Sequence, residues 1–145
     1  MSSSIALLVI AAIAGIAVAL QGQFMGVIDR TAGTRTSVFI TYGMGAMIAA
    51  LLWLPRRTSL ETIRQIPPYA WSAGALGLII VGGIGYAAPR LGLASTLVVT
   101  IAAQLVAALI IDHLGLFTAQ QRPIDVARAL GLFLTVLGAW LVVRP

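Results

Sequence analysis

The segment from Leu91 to Ile111 carries no charged side chain and is bounded by Arg90 on one side and by Asp112 and His113 on the other. A helix rises about 1.5 Å per residue, so this segment is long enough to cross the roughly 30 Å hydrocarbon core of a bilayer. Gly115 follows at a position where a helix can end in a left-handed cap. The segment therefore predicts a membrane-spanning helix.

Four further apolar segments of comparable length accompany this one. Hydrophobic residues make up 60% of the 145-residue chain and charged residues 9%, whereas a soluble domain carries about 25% charged residues. The sequence therefore predicts an all-α membrane protein with a single domain, residues 1–145, and five transmembrane helices. The predicted spans are residues 5–28, 36–54, 69–88, 91–111 and 125–143.

Short polar stretches separate the predicted spans. Residues 29–35 include Asp29 and Gly33 and are predicted to form a polar turn, and Pro89 and Arg90 are predicted to close the third span. Every acidic residue is thus expected at a span end or in a loop. No carboxylate is expected at mid-membrane, where an acid is costly and usually functional.

The composition argues against several classes of function. The arginines lie singly or in pairs beside apolar runs, which is typical of headgroup anchors and not of nucleic-acid binding. The chain has no cysteine, one histidine and four scattered acidic residues. We therefore expect no disulfide, no metal site, no cofactor and no enzymatic activity.

The nine basic residues, all arginine, divide almost evenly between the two faces of the membrane. Five spans put the termini on opposite faces, with five arginines on the N-terminal face and four on the other. Either the N-terminus is weakly cytoplasmic, or the balance is chance in a small protein, or the protein inserts both ways. Two oppositely inserted copies could pair around a two-fold axis in the membrane plane. The N-terminal face holds Arg56, Arg57, Arg64, Arg122 and Arg128, and the other face holds Arg30, Arg35, Arg90 and Arg144.

Glycines follow helical spacing in the third and fifth spans. In lipid, helices associate through faces of small residues that let backbones approach closely. The predicted packing residues are Gly74, Gly77, Gly85, Gly131 and Gly138.

A polar stripe runs along the fourth span. Thr96, Thr100 and Gln104 are spaced i, i+4 and i+8, which places them on one side of a helix. These residues are predicted to line a substrate path. The alternative for Gln104 is a hydrogen bond that holds two helices together.

Polar residues in the first two spans are weaker candidates for the same path. Gln21 and Gln23 lie in the second half of the first span, either as interfacial residues of a tilted helix or as path-lining residues. Tyr42 in the second span could hydrogen-bond cargo or simply pack.

Two charged sites at span ends have open roles. Asp112 and His113 could form a pH-sensitive gate, because histidine titrates near neutrality, or they could stabilise the end of a helix. Arg90 could be a headgroup anchor or could hold an anion.

Several parts of the sequence form a recognisable combination: the series Gln104, Asp112, His113, Gly115, Leu116 and Phe117, and the segments ALQGQFMGVIDRTAGTRTSVFITYGMG, APRLGLAST and RALGLFLTVLGAWLVVR. Together they resemble the YdcZ-like family of the drug/metabolite transporter superfamily. The similarity extends over nearly the whole chain, and the series from Gln104 to Phe117 is its most specific part.

The resemblance implies an inner-membrane exporter of five spans, half the length of ten-span members of the superfamily. It also implies an antiparallel dimer with an identical copy or a homologous partner chain. We therefore predict a secondary transporter of a small metabolite or drug-like molecule, in the lipid bilayer of the bacterial inner membrane, that works by alternating access. The alternatives are a passive channel for a small ion or solute and an accessory subunit of a heterodimeric transporter. Four-span multidrug exporters carry a glutamate inside their first span, and the first span here has no acid.

Overall fold

The structure, a computed structural model, describes residues 2–56 and 58–144, so Arg57 of the arginine count lies outside the described residues. Within those ranges all regular secondary structure is helical. Five helical segments are long and apolar enough to cross a membrane, at residues 4–32, 34–53, 68–91, 93–114 and 126–143, which confirms the predicted number of spans. The α-helices are α1 Ser2–Ala32, α2 Thr34–Trp53, α3 Leu60–Arg64, α4 Ala73–Leu91, α5 Leu93–Leu114 and α6 Val126–Val143.

Single glycines separate α1 from α2 and α4 from α5. Gly33 has φ of 83° and Gly92 has φ of 87°, a left-handed conformation that residues with a side chain rarely adopt. The predicted polar turn at residues 29–35 is therefore wrong in extent, because α1 continues through Asp29 to Ala32. The predicted end of the third span is also too early, because α4 continues to Leu91.

The first of two compact units runs to Arg90 and contains α1 to α4. Its three long helices pack where α1 ends, α2 begins and α4 ends. The buried residues of this region include Met25, Asp29, Ser37, Ile84 and Ala88. The other halves of α1 and α2, residues 4–18 and 43–53, are exposed throughout. The helices of this unit are therefore packed tightly at one end only.

The second unit begins at Leu91 and contains α5 and α6. Ala102 and Leu109 of α5 and Ala139 of α6 are buried. Gly115 has φ of 62° and caps the end of α5, which confirms the predicted helix cap. The Asp125 carboxylate accepts a hydrogen bond of 2.8 Å from the backbone N–H of Arg128 and caps the start of α6.

The glycines predicted to pack helices fall into two groups. A Cβ atom at Gly77 would clash with the Tyr42 hydroxyl, and one at Gly85 would lie 2.8 Å from Cε of Met25. Both glycines therefore make room for a side chain of a neighbouring helix. Gly74, Gly131 and Gly138 have open space at the Cβ position, so their packing role stays a prediction.

Candidate functional site

Two adjacent cavities in the first unit share Gln21 and Thr41. The larger, of about 440 Å³, lies between α1 and α2. The smaller, of about 350 Å³, lies between the same helices and Val81 of α4. We call the two together the Gln21 groove. Its lining residues are Ala17, Leu20, Gln21, Phe24, Met25, Ile28, Ile40, Thr41, Tyr42, Met44, Gly45, Ala46, Ala49 and Val81.

The polar groups of the Gln21 groove come from Gln21, Thr41 and Tyr42. Gln21 is exposed, and Thr41 and Tyr42 are half-buried. Among the described residues none accepts or donates a side-chain hydrogen bond to these three, so they are available to a ligand. Two of the predicted path residues, Gln21 and Tyr42, are thus brought together. Gln23 is exposed and lies outside the groove lining.

At the packed end of the first unit, next to the groove, a buried hydrogen bond joins α1 to α2. Ser37 is completely buried and donates a hydrogen bond of 3.0 Å to the backbone carbonyl of Met25. On the other side of this contact Gly85 of α4 leaves space for the Met25 side chain. These three residues therefore close the helices against one another at the packed end.

A carboxylate is held at the same end by groups from two other helices. The Asp29 side chain is only 4% exposed, and Nη1 of Arg90 donates to its Oδ2 at 3.0 Å. Thr34 of α2 donates to the other oxygen, Oδ1, at 2.5 Å. Arg90 also donates to the Tyr86 carbonyl at 2.6 Å and lies 3.8 Å from the centre of the Tyr86 ring. Arg90 is therefore an ion-pair partner in addition to any role at the headgroups.

Sequence reasoning missed Asp29 as a site residue. The sequence predicts it in a turn, because a charged residue beside an apolar run usually marks a span end. A signal was nevertheless present, since Asp29 and Arg90 each lie a few residues before a glycine in the first and third spans. Both spans run in the same direction, which puts these two residues at the same face.

The polar stripe of the fourth span lies on α5, in the second unit. Thr96 is buried and donates to the Gly92 carbonyl at 2.9 Å, and Thr100 donates to the Thr96 carbonyl at 2.8 Å. Both hydroxyl protons are thus engaged by the backbone of their own helix. Gln104 is exposed and has no hydrogen-bond partner among the described residues. Its role in a substrate path stays a prediction.

A third cavity lies between α5 and α6. It has a volume of about 410 Å³ and is almost entirely apolar. Gln104 does not line it. Its lining residues are Val99, Ala102, Ala103, Val106, Val136, Ala139, Trp140 and Val143.

Asp112 and His113 fasten the loop that follows α5. Nδ1 of His113 accepts a hydrogen bond of 3.2 Å from the backbone N–H of Ile124. The Asp112 carbonyl accepts from the backbone N–H of Arg122 at 2.8 Å. In the described part of the chain no ion pair joins the Asp112 and His113 side chains. The geometry fits the helix-end interpretation, and the pH-sensitive gate stays a prediction.

Replacing His113 by Ala should release the end of the loop that precedes α6. The variant removes the acceptor of the Ile124 N–H, a bond worth about 1 kcal/mol in net stability. We expect hydrogen exchange at the Ile124 amide to become roughly fivefold faster. The Arg128 amide, which Asp125 caps independently, is the internal control and should keep its protection. Unchanged exchange at Ile124 would contradict the proposed role of the imidazole.

Comparison with known proteins gives one result. The family model described as "Putative inner membrane exporter, YdcZ" matches residues 6–141. No curated protein and no solved structure matches the chain. The matched range contains the Gln21 groove, the Asp29–Arg90 ion pair and the series from Gln104 to Phe117. The chain therefore belongs to the YdcZ family of inner-membrane exporters and is a multi-pass integral protein of the inner membrane.

Proposed function

We propose that two antiparallel copies of this chain form a secondary transporter that exports a small metabolite or drug-like molecule by alternating access. The YdcZ match and the five spans support a transporter. The observation that carries the finer proposal is an open, largely apolar groove with three polar side chains, in a helix bundle that is packed at one end only. Gln21, Thr41 and Tyr42 would bind the cargo there.

In an antiparallel pair, helices that are packed at one end only would allow alternating access. In one copy the Asp29–Arg90 end would lie at one face of the membrane, and in its inverted partner it would lie at the other. Each face would then have one tightly packed end. Opening one end while the other stays packed would expose the groove to the two faces in turn.

The residues around the groove support a partner copy. Phe24, Ile40 and Met44 line the groove and are all more than 40% exposed, and Gln21 is exposed beside them. An amide facing lipid lacks hydrogen-bond partners, which is unfavourable. A second copy across the groove would cover this side chain. The packed end also counts against a passive channel, which needs a path open at both faces.

Topology mapping tests the antiparallel arrangement. We expect two reporters fused to the C-terminus, one active only in the cytoplasm and one only outside it, both to be active, because the arginine balance is five to four. Arg35→Gln should favour the cytoplasmic N-terminus, and the matched change Arg64→Gln should not. A single active reporter in the unmodified protein would mean a fixed orientation and would contradict the homodimer.

A further inference from the structure

We infer that the Gln21 groove takes an uncharged, amphipathic molecule: an apolar body that carries a hydroxyl, carbonyl, amide or N–H group. This inference rests on the proposed transport function and names the cargo class of the same site. Three observations support it: the side chains that line the groove, the ion pair of the buried Asp29 carboxylate with Arg90, and the positions of the charged residues in the other spans.

The groove itself offers no charged partner. Its lining consists of aliphatic, aromatic and thioether side chains together with one amide and two hydroxyl groups. An ion moved from water into such surroundings loses its hydration and gains no opposite charge. A neutral molecule loses much less, and its polar group can bond to Gln21 or to Thr41.

The nearest acidic group is already engaged. Asp29 lies eight residues beyond Gln21 on α1, about 12 Å along the helix axis. Its carboxylate accepts hydrogen bonds from Arg90 and Thr34, and its side chain is 4% exposed. A cationic cargo would have to displace the half-exposed Arg90 side chain from the buried carboxylate to reach it.

The spans that the structure describes hold no further charged side chain near their middle. In the described spans every further ionisable side chain of the Asp, Glu, Arg or His type lies in the first or last turn of its helix. Whichever helices complete the groove, in this copy or a second one, they bring amide, hydroxyl and apolar groups to its centre. The residues concerned are Arg30, Arg35, Arg90, Asp112, His113 and Arg128.

The apolar side chains that line the groove favour a cargo with an apolar body. Phe24 offers an aromatic surface, and Met25 and Met44 are flexible, polarisable side chains that adapt to ligands of different outline. The two cavities, of about 440 and 350 Å³, fall in the range of small-molecule sites, about 300–1,000 Å³. A neutral aromatic or aliphatic molecule with one or two polar groups fits both the surface and the volume.

Cysteine protection tests the cargo class directly, because the chain has no cysteine of its own. Gly45 lines the groove and has open space at its Cβ position, so Gly45→Cys places a thiol there without strain. In nanodiscs we would measure its alkylation by N-ethylmaleimide with indole, with tryptamine and with indole-3-acetate. Gly138→Cys on α6, also open at Cβ, is the control for effects away from the groove.

We expect indole to slow alkylation of Gly45→Cys and the two charged probes to require on the order of tenfold higher concentration. The variant Gln21→Glu adds an acid to the groove with almost no change in shape, and should shift the preference to cationic tryptamine. Gln23→Glu on the same helix, outside the groove, should leave the preference for indole unchanged.

The outcomes separate the cargo class from the proposed function. Better protection by tryptamine or indole-3-acetate than by indole in the unmodified groove would overturn the uncharged cargo and leave a binding groove in place. Equal protection by all three probes would also overturn it. No protection by any probe, in the unmodified groove and in Gln21→Glu, would overturn both the cargo class and the groove as a transport site.

Discussion

Gly77→Ala is expected to displace Tyr42 and to disable the Gln21 groove. The new methyl group would clash with the Tyr42 hydroxyl, so the Tyr42 side chain must shift. Overpacking of this kind costs about 1–3 kcal/mol, which exceeds the roughly 1 kcal/mol that an alanine gains over glycine in a helix. Tyr42 lines the groove beside Gln21 and Thr41, so its displacement should remove most of the protection that indole gives Gly45→Cys.

Gly74→Ala provides a matched control, because Gly74 lies on the same helix and has open space at its Cβ position. This variant should keep the indole protection of the parent protein, and its melting temperature should be equal or slightly higher, because alanine favours a helix over glycine. The double variant Gly77→Ala, Tyr42→Phe should recover part of the stability, because the clash is with the hydroxyl group. Full protection in Gly77→Ala would contradict the assigned position of Tyr42.

Breaking the Asp29–Arg90 ion pair should have unequal effects depending on which residue is changed. Arg90→Gln leaves a carboxylate that is 4% exposed without its cation, which is strongly destabilising. Asp29→Asn leaves a guanidinium that is 47% exposed and still bonded to the Tyr86 carbonyl, so its loss should be smaller. The melting temperature of the purified protein should fall furthest for Arg90→Gln.

The rate of alkylation of a buried cysteine reports how tightly the helices pack at the end that holds the Asp29–Arg90 ion pair. Ser37→Cys places a thiol where the native side chain is completely buried, and it should react faster in the Arg90→Gln background. Arg35→Gln, which removes an exposed arginine of α2 two residues before Ser37, is the control and should leave the rate unchanged. An equal loss of stability in Asp29→Asn and Arg90→Gln would contradict the prediction that the buried carboxylate is the group that needs the ion pair.

The spans could be predicted from sequence because long uncharged apolar runs have one stable form in a bilayer. The ends of the spans were less predictable. The sequence predicts Asp29 in a turn, because a charged residue next to an apolar run is normally exposed to water. Its partner Arg90 is 61 residues away in the chain, and only the packing of α1 against α4 reveals the pair.

The polar stripe on α5 illustrates a second limit of sequence reasoning. The spacing of Thr96, Thr100 and Gln104 predicts a shared face, but it does not say where the hydroxyl protons point. Threonine in a helix can bond to the carbonyl one turn earlier, and both threonines do so here. The groove at Thr41 and Tyr42 could not be predicted from the sequence either, because it depends on the packing of Gly77 of α4 beside the Tyr42 side chain.

In a chain whose five spans each cross the bilayer, the single-glycine connections at Gly33 and Gly92 would both reach the face opposite the N-terminus, and the longer connections, residues 54–72 and 115–125, would reach the N-terminal face. The face opposite the N-terminus would then have almost no loops. A single copy would therefore present a bare face to one compartment and a loop-covered face to the other. In an antiparallel pair both compartments would meet the same mixture, and a protease added from either side would cut only one of the two copies.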